Sequence, residues 1–176
     1  MHLQAPQIAV VTGAGSGIGR ELGRQLAAAG VHVAGFDVSA DGLRDSREAC
    51  LAGAPAGTRV STFVGDVSNE ADLIAFRDAT LREHAATHVD LVFNNAGMGG
   101  GGPFVDGSRA QWERTFAVCW EGVYLGTRVF LPLLQRAREA YLVNVSSVNG
   151  FWASLGPSTP HTAYAAAKFA VKGFTE

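Results

Sequence analysis

Cysteine is scarce in this sequence, with Cys50 and Cys119 the two among 176 residues. They lie far apart and fit neither a metal-ligand nor a redox spacing, which excludes a disulfide framework and leaves no metal site to expect. Charge is scarce as well. Charged residues make up 17% of the chain and the formal net charge is −2, so there is no basic patch and nucleic acid is excluded as a partner. The N-terminal stretch MHLQAPQIAVVTG lacks the basic region and following apolar run of a secretory leader. No apolar run approaches the roughly 20 residues that a membrane-spanning helix takes. No membrane partner is therefore expected, and a cytoplasmic setting agrees with reduced cysteines.

Apolar residues, by contrast, make up 47% of the chain, enough for one globular domain over residues 1–176 with a real core. No linker, internal repeat or low-complexity tract divides it. The glycine run at residues 99–102 is too short to separate domains and reads as a loop at the mouth of a site.

Apolar patterning alternates between two periods. Short buried-type runs at residues 8–12, 31–36, 59–64, 89–93 and 142–145 read as strands. Helical spacing fills the intervals: residues 19–29 with Leu22, Leu26 and Ala27, residues 41–52, and a helix capped by Ser68 or Asn69 that carries Leu73, Phe76, Thr80 and Leu81. A longer helical stretch at residues 110–136 should be interrupted near Pro132, and a last helix runs from about residue 162 to the end. Repeated strand–helix units with short connections predict an α/β fold with a doubly wound parallel sheet, Rossmann-type, in three αβα layers.

The segment TGAGSGIG at residues 12–19 follows the first strand and opens the first helix. That order aims the free N–H groups of the helix N-terminus at a pyrophosphate. Gly13 allows the turn, Gly17 the close approach of phosphates, and Gly19 close helix–strand packing, with Ser16 and Ile18 between them. The spacing differs from the usual G-x-G-x-x-G. Asp37 closes the second strand, where a carboxylate accepts from both ribose hydroxyls and repels a 2′-phosphate. Neither Ser16 nor Val38 offsets that charge. NAD is therefore expected as cofactor, with NADP less favoured.

Tyr164 and Lys168 stand four residues apart in AYAAAKFAVKGF, one above the other on a helical face. A tyrosine is a poor base at neutral pH, its reference pKa being about 10. A neighbouring ammonium favours the phenolate, so the pair is a way to build an acid/base tyrosine.

With these motifs in order, the chain resembles the short-chain dehydrogenase/reductase family, in its single-domain branch. The resemblance rests on TGAGSGIG, Asp37, GDV at residues 65–67, NNAG at residues 94–97, NVSSVNG at residues 144–150 and YAAAK at residues 164–168. It implies that Asp66 and Val67 contact the adenine and that Asn95, Ala96 and Gly97 line the cofactor. It also implies a catalytic set of Ser147, Tyr164 and Lys168, with Ser146 an ordinary turn hydroxyl. The implied reaction moves a hydride between the nicotinamide and a secondary alcohol or its ketone. Tyr164 would exchange the proton, Lys168 would hold the nicotinamide ribose, and Ser147 would orient the substrate oxygen. Relatives assemble as homo-dimers or homo-tetramers through the long fourth and fifth helices.

Three departures matter. Where many relatives place an asparagine that supports a water beside the lysine, this sequence has Cys119, a weak donor and acceptor. Slower proton relay is the expectation. Secondly, the family's last two strands and substrate loop have no match in these residues, leaving five strands of the usual seven and an open edge at the fifth. An NAD-binding protein without turnover is the alternative reading on that ground. Thirdly, the segment between Ser147 and Tyr164 is somewhat long, and Phe151, Trp152, Leu155 and His161 are candidates to line an apolar substrate mouth.

Overall fold

The computed structural model describes residues 7–100, 102–153, 156 and 160–176. The expected core strand forms where Ile8–Thr12 (β1) supplies five consecutive residues that are all buried. Such a run suits a central parallel strand, which is covered on both faces. His32–Asp37 (β2), Val60–Val64 (β3), Leu91–Asn94 (β4) and Tyr141–Asn144 (β5) complete one sheet in the order β3-β2-β1-β4-β5, with every pair parallel. Register is set across β1, where Val10 lies between Ala34 and Val92. The chain fills one side of β1 through β2 and β3, then crosses to β4. The carboxyl ends of β1 and β4 thus form the switch point at which open α/β sheets hold their ligands.

Helices Gly17–Ala28 (α1) and Ala40–Ala52 (α2) cover one face of the sheet. Ala9, Val11, Leu26, Ala27, Val33 and Leu43 pack together there. Glu70–His84 (α3) and the long helical run from Arg109 cover the other face, where Phe76 packs against Phe36 and Phe130 with ring centroids 4.9 and 5.6 Å apart. Burying each such ring is worth about 1.5–3 kcal/mol, so this aromatic cluster ties β2, α3 and the long helix together. Local signals set the starts of the helices. Ser39, Asn69 and Ser108 each accept from a main-chain N–H of the first turn. Asn69, not Ser68, caps α3.

The long helical run departs from expectation. Arg109–Phe116 (α4) and Gly122–Leu134 (α5) are joined without a loop by a π-helical turn, Ala117–Glu121. Pro132 lies inside α5 and does not interrupt it. Its missing N–H falls in the last turn, where buried Val129, Phe130, Leu133 and Leu134 hold the helix to the sheet. The irregularity sits instead at Cys119. By length and composition the 26-residue run Arg109–Leu134 would suffice to cross a bilayer, which corrects the expectation of no such stretch, and 56% of its apolar window is buried inside the fold.

Thr162–Thr175 (α6) follows the short 3₁₀ turn Val148–Gly150 after β5. Its buried face is made of small residues, Ala163, Ala165 and Ala167, with Lys168 and Val171. Among the described residues β5 pairs with β4 alone, and its Tyr141 and Val143 are each 39% exposed. The open edge expected of the fifth strand is present in that form.

Candidate active site

The glycine turn after β1 is built against the end of β4. Gly13 has φ +68°, and a Cβ there would come within 2.8 Å of Ala96 Cα. Thr12 Oγ1 accepts from the N–H groups of Asn95 and Ala96 at 3.0 and 3.1 Å, and Asn95 Nδ2 donates to Thr12 O at 2.9 Å. Asn95 therefore spends its side chain on the glycine turn, while Ala96 and Gly97 line the cleft. A Cβ on Gly19 would run into Gly13 O, so the helix can begin this close to the strand only with glycine there.

Ser16, unlike the residues that start α2, α3 and α4, makes no side-chain cap bond. Gly17, at φ +50°, has nothing within 4 Å of where its Cβ would stand. Open space thus lies over the N-terminus of α1, beside exposed Ser16 and Ile18. A pyrophosphate fits such a cradle, because the first-turn amides point to it and the helix dipole favours its charge.

Asp37 ends β2 beside this cradle, its Oδ2 accepting from Gly15 N–H and its Oδ1 from Ser39 N–H, each at 2.9 Å. Arg20, next in sequence to the glycines, is spent on Gly15 O at 2.6 Å and Ser46 Oγ at 2.9 Å. A cleft of about 150 Å³ runs from Gly13 past Asp37 and Val38 to Asp66, Val67 and Arg114. Burial alone pushes the Asp66 carboxyl up, but the hydroxyl and N–H of Ser68 and the Arg114 guanidinium outweigh it and hold it below the usual value. Sequence reasoning missed Arg114. Nothing local marks it, since its ion pair spans 48 residues to Asp66 at 2.8 Å.

Ser147, Tyr164 and Lys168 come together where α6 meets the turn after β5. Ser147 caps the 3₁₀ turn, its Oγ accepting from Asn149 N–H at 3.2 Å. Ser146 plays the structural part instead, donating from Oγ to Lys168 O at 3.0 Å and so binding α6 to the turn. Lys168 is only 3% exposed. Its Nζ donates to Val145 O at 2.7 Å and lies 5.7 Å from the centre of the Tyr164 ring. Burial pulls the Lys168 ammonium below the usual lysine value, with Cys119 acting in the opposite sense. Among the described residues the Tyr164 hydroxyl is in no hydrogen bond, while its ring meets that of His161 at 6.0 Å. Phe151 and Trp152 are exposed at 67% and 69%, and Leu155 lies outside the described residues.

Cys119 is fully buried at the π-helical turn and grips the loop after β4. Its Sγ accepts from Met98 N–H at 3.4 Å and donates to Met98 O at 3.3 Å. The thiol thereby holds the chain segment that carries Gly97, next to Lys168 Nζ.

Parallel strands in this order, a glycine cradle at the switch point and an acid at the end of β2 define a dinucleotide-type α/β fold. The short chain dehydrogenase family model matches residues 7–176. The chain belongs to that family. Levodione reductase of Leifsonia aquatica is 35% identical over 170 residues, 96% of this chain and 61% of that protein. A solved structure of levodione reductase superposes with a TM-score of 0.87 over 96% of this chain and 63% of the other. A Burkholderia phymatum family member solved in complex with NAD is 37% identical, with a TM-score of 0.88 over 99% of this chain and 59% of that one. A metagenomic short-chain oxidoreductase solved in complex with NADP is 32% identical, with a TM-score of 0.82 over 96% of this chain and 72% of that one. Across several curated relatives that it matches, the chain spans 27 to 61% of their length.

Proposed function

We propose that this chain carries the cofactor-binding and proton-transferring residues of an NAD-dependent oxidoreductase that interconverts a secondary alcohol and its ketone. The observation that carries this reading is Lys168. A lysine buried to 3% exposure is costly to keep, and this one sits one helical turn from Tyr164, against the strand end that leads into Ser147. A structural lysine has no need of that company.

Gly13, Ser16, Gly17, Ile18 and Gly19 would hold the pyrophosphate, Asp37 the adenosine ribose, and Asp66, Val67, Ala96 and Gly97 the walls of the cleft. When bound, the nicotinamide accepts hydride from a carbinol carbon, or in its reduced form returns it to a carbonyl carbon. Tyr164 takes the alcohol proton at its phenolic oxygen in one direction and gives it back in the other. Lys168 would favour the charged tyrosine and hold the nicotinamide ribose, while Ser147 Oγ would orient the substrate oxygen. Support for NAD over NADP comes from Asp37, whose carboxylate would face a 2′-phosphate while Arg20 is engaged elsewhere. Exposed Phe151 and Trp152, which follow the turn that Ser147 caps, suit an apolar substrate. Self-association belongs to the same proposal: Phe174 of α6 packs edge to face against Trp120 and Tyr124 of the long helical run, with Tyr124 and Phe174 40% and 42% exposed.

Binding without turnover is the second reading, favoured by Lys168 Nζ being bonded to Val145 O at 2.7 Å. Two measurements separate them. A rise in NADH absorbance with a panel of secondary alcohols, abolished in Tyr164→Phe, is the expected result. Heat on calorimetric titration with NAD but no NADH formation with any alcohol would leave only the binder. No heat would refute both.

A further inference from the structure

Arg114 stands on α4 at the rim of the cleft, across from Asp37 and Val38. Its Nη1 lies 2.8 Å from Asp66 Oδ2 and donates to Ser68 Oγ at 2.8 Å. Ser68 in turn donates from its N–H and its hydroxyl to Asp66 Oδ1 at 2.9 and 2.7 Å. The backbone beneath is held as well, since Asp66 N–H donates to Asp72 Oδ2 at 2.9 Å. Arginine, serine and aspartate therefore close a ring at the cleft wall.

The ring has one opening. A carboxylate oxygen accepts about two hydrogen bonds. Oδ1 already has its two from Ser68, whereas Oδ2 has the guanidinium alone. One acceptor position on Oδ2 remains, in a side chain that lines the cleft. As an ion pair the contact adds little stability, because Arg114 and Asp66 are 44% and 31% exposed. Orientation is its stronger effect. Without Arg114 the carboxylate is pinned at one oxygen only and its second oxygen is free to turn to solvent.

We infer that Arg114 is a positioning residue which makes the cleft selective for a base that offers an amino donor, adenine over hypoxanthine, by fixing the vacant acceptor site of Asp66. The inference rests on the dinucleotide reading given above. Adenine presents an exocyclic N–H₂ to such an acceptor. Hypoxanthine presents a carbonyl oxygen at the same place and is repelled by the carboxylate. Val67 and Val118 on the same cleft supply apolar contact that either base would share.

Calorimetric titration with NAD and with nicotinamide hypoxanthine dinucleotide tests it on the unaltered chain, on Arg114→Ala and on Arg114→Lys. The unaltered chain should prefer NAD by about ten-fold or more, the worth of one hydrogen bond to a charged group. Arg114→Ala should bring the two affinities within about three-fold, by weakening NAD binding. Arg114→Lys should fall between, because an ammonium keeps the charge that Nη1 presents to Asp66 and Ser68 but carries it on a more flexible stem. The thermal unfolding midpoint of both variants should match that of the unaltered chain. An unchanged preference in Arg114→Ala overturns the positioning role, and so does an equal loss for both dinucleotides. No binding of either by the unaltered chain removes the dinucleotide reading itself, and this inference with it.

Discussion

Acid should loosen the end of the sheet opposite the cleft, through two buried histidines. His84 closes α3 at 3% exposure and His32 opens β2 at 7%, their ring centroids 5.8 Å apart. Ser61 Oγ of β3 lies 2.8 Å from His84 Nε2, and Arg59 N–H donates to His32 Nδ1 at 3.0 Å. His84 Nδ1 and nearby Thr80 Oγ1 are buried without a partner among the described residues. Burial first, then the His32 ring and the Arg59 guanidinium, lower the His84 pKa from 6.5 to about 4. His32 is lowered too, by burial and by Arg59.

A base whose folded pKa is depressed binds fewer protons folded than unfolded, so its stabilising contribution is complete above pH 6.5 and is lost as pH falls toward 4. At pH 5 the unfolded His84 binds most of a proton and the folded one little, a difference of about 2 kcal/mol. The carboxyls of Glu21 and Asp66 are depressed from 4.5 and 3.8, so their contributions are lost below that pH. Urea unfolding at pH 7.5 and pH 5 measures the effect. The unaltered chain should lose about 2 kcal/mol or more between them, since His32 adds in the same sense. His84→Gln, which keeps a polar group for Ser61, should flatten the difference by about 2 kcal/mol. Equal pH dependence in the two proteins would refute the argument, whatever the absolute stability of the variant.

Two further outcomes bear on the cleft. Gly19→Ala places a Cβ against Gly13 O and within 2.7 Å of Asn95 Nδ2, so the glycine turn must shift; NAD binding should weaken by about 100-fold or more, and titration showing native affinity would disprove the tight packing described. Cys119→Asn replaces a weak donor and acceptor by an amide able to satisfy both Met98 groups. It should raise kcat with a secondary alcohol about two- to ten-fold, and an unchanged kcat would mean that the thiol does not limit proton relay.

What could be read from the sequence, and what could not, divides along the kind of constraint. β1 shows in full because five buried residues in a row leave a central strand no other arrangement. The starts of α2 and α3 show to within a residue because Ser39 and Asn69 bond to their own first turns. β4 and β5 shift by one or two residues, since four-residue strands end where partner hydrogen bonds end and composition does not mark that point. Pro132 misled because a proline is penalised by local geometry, whereas burial of its neighbours decides the outcome.

The site divides the same way. Gly13, Gly19 and Asp37 answer to requirements of the backbone at one turn, and such requirements recur in any chain that makes that turn. Arg114 with Asp66, Cys119 with Met98 and His32 with His84 are agreements between side chains or loops 21 to 52 residues apart. Either partner alone is ordinary: an exposed arginine, a buried thiol, a histidine at a strand start. The family pattern at Cys119 predicts only a lost asparagine. The fold shows what replaced it, because the π-helical turn brings Sγ within bonding distance of both Met98 backbone groups. Substitution at that position is thus a change of clasp on the loop that carries Gly97, and its effect on Lys168 runs through that loop and not through a missing side chain alone.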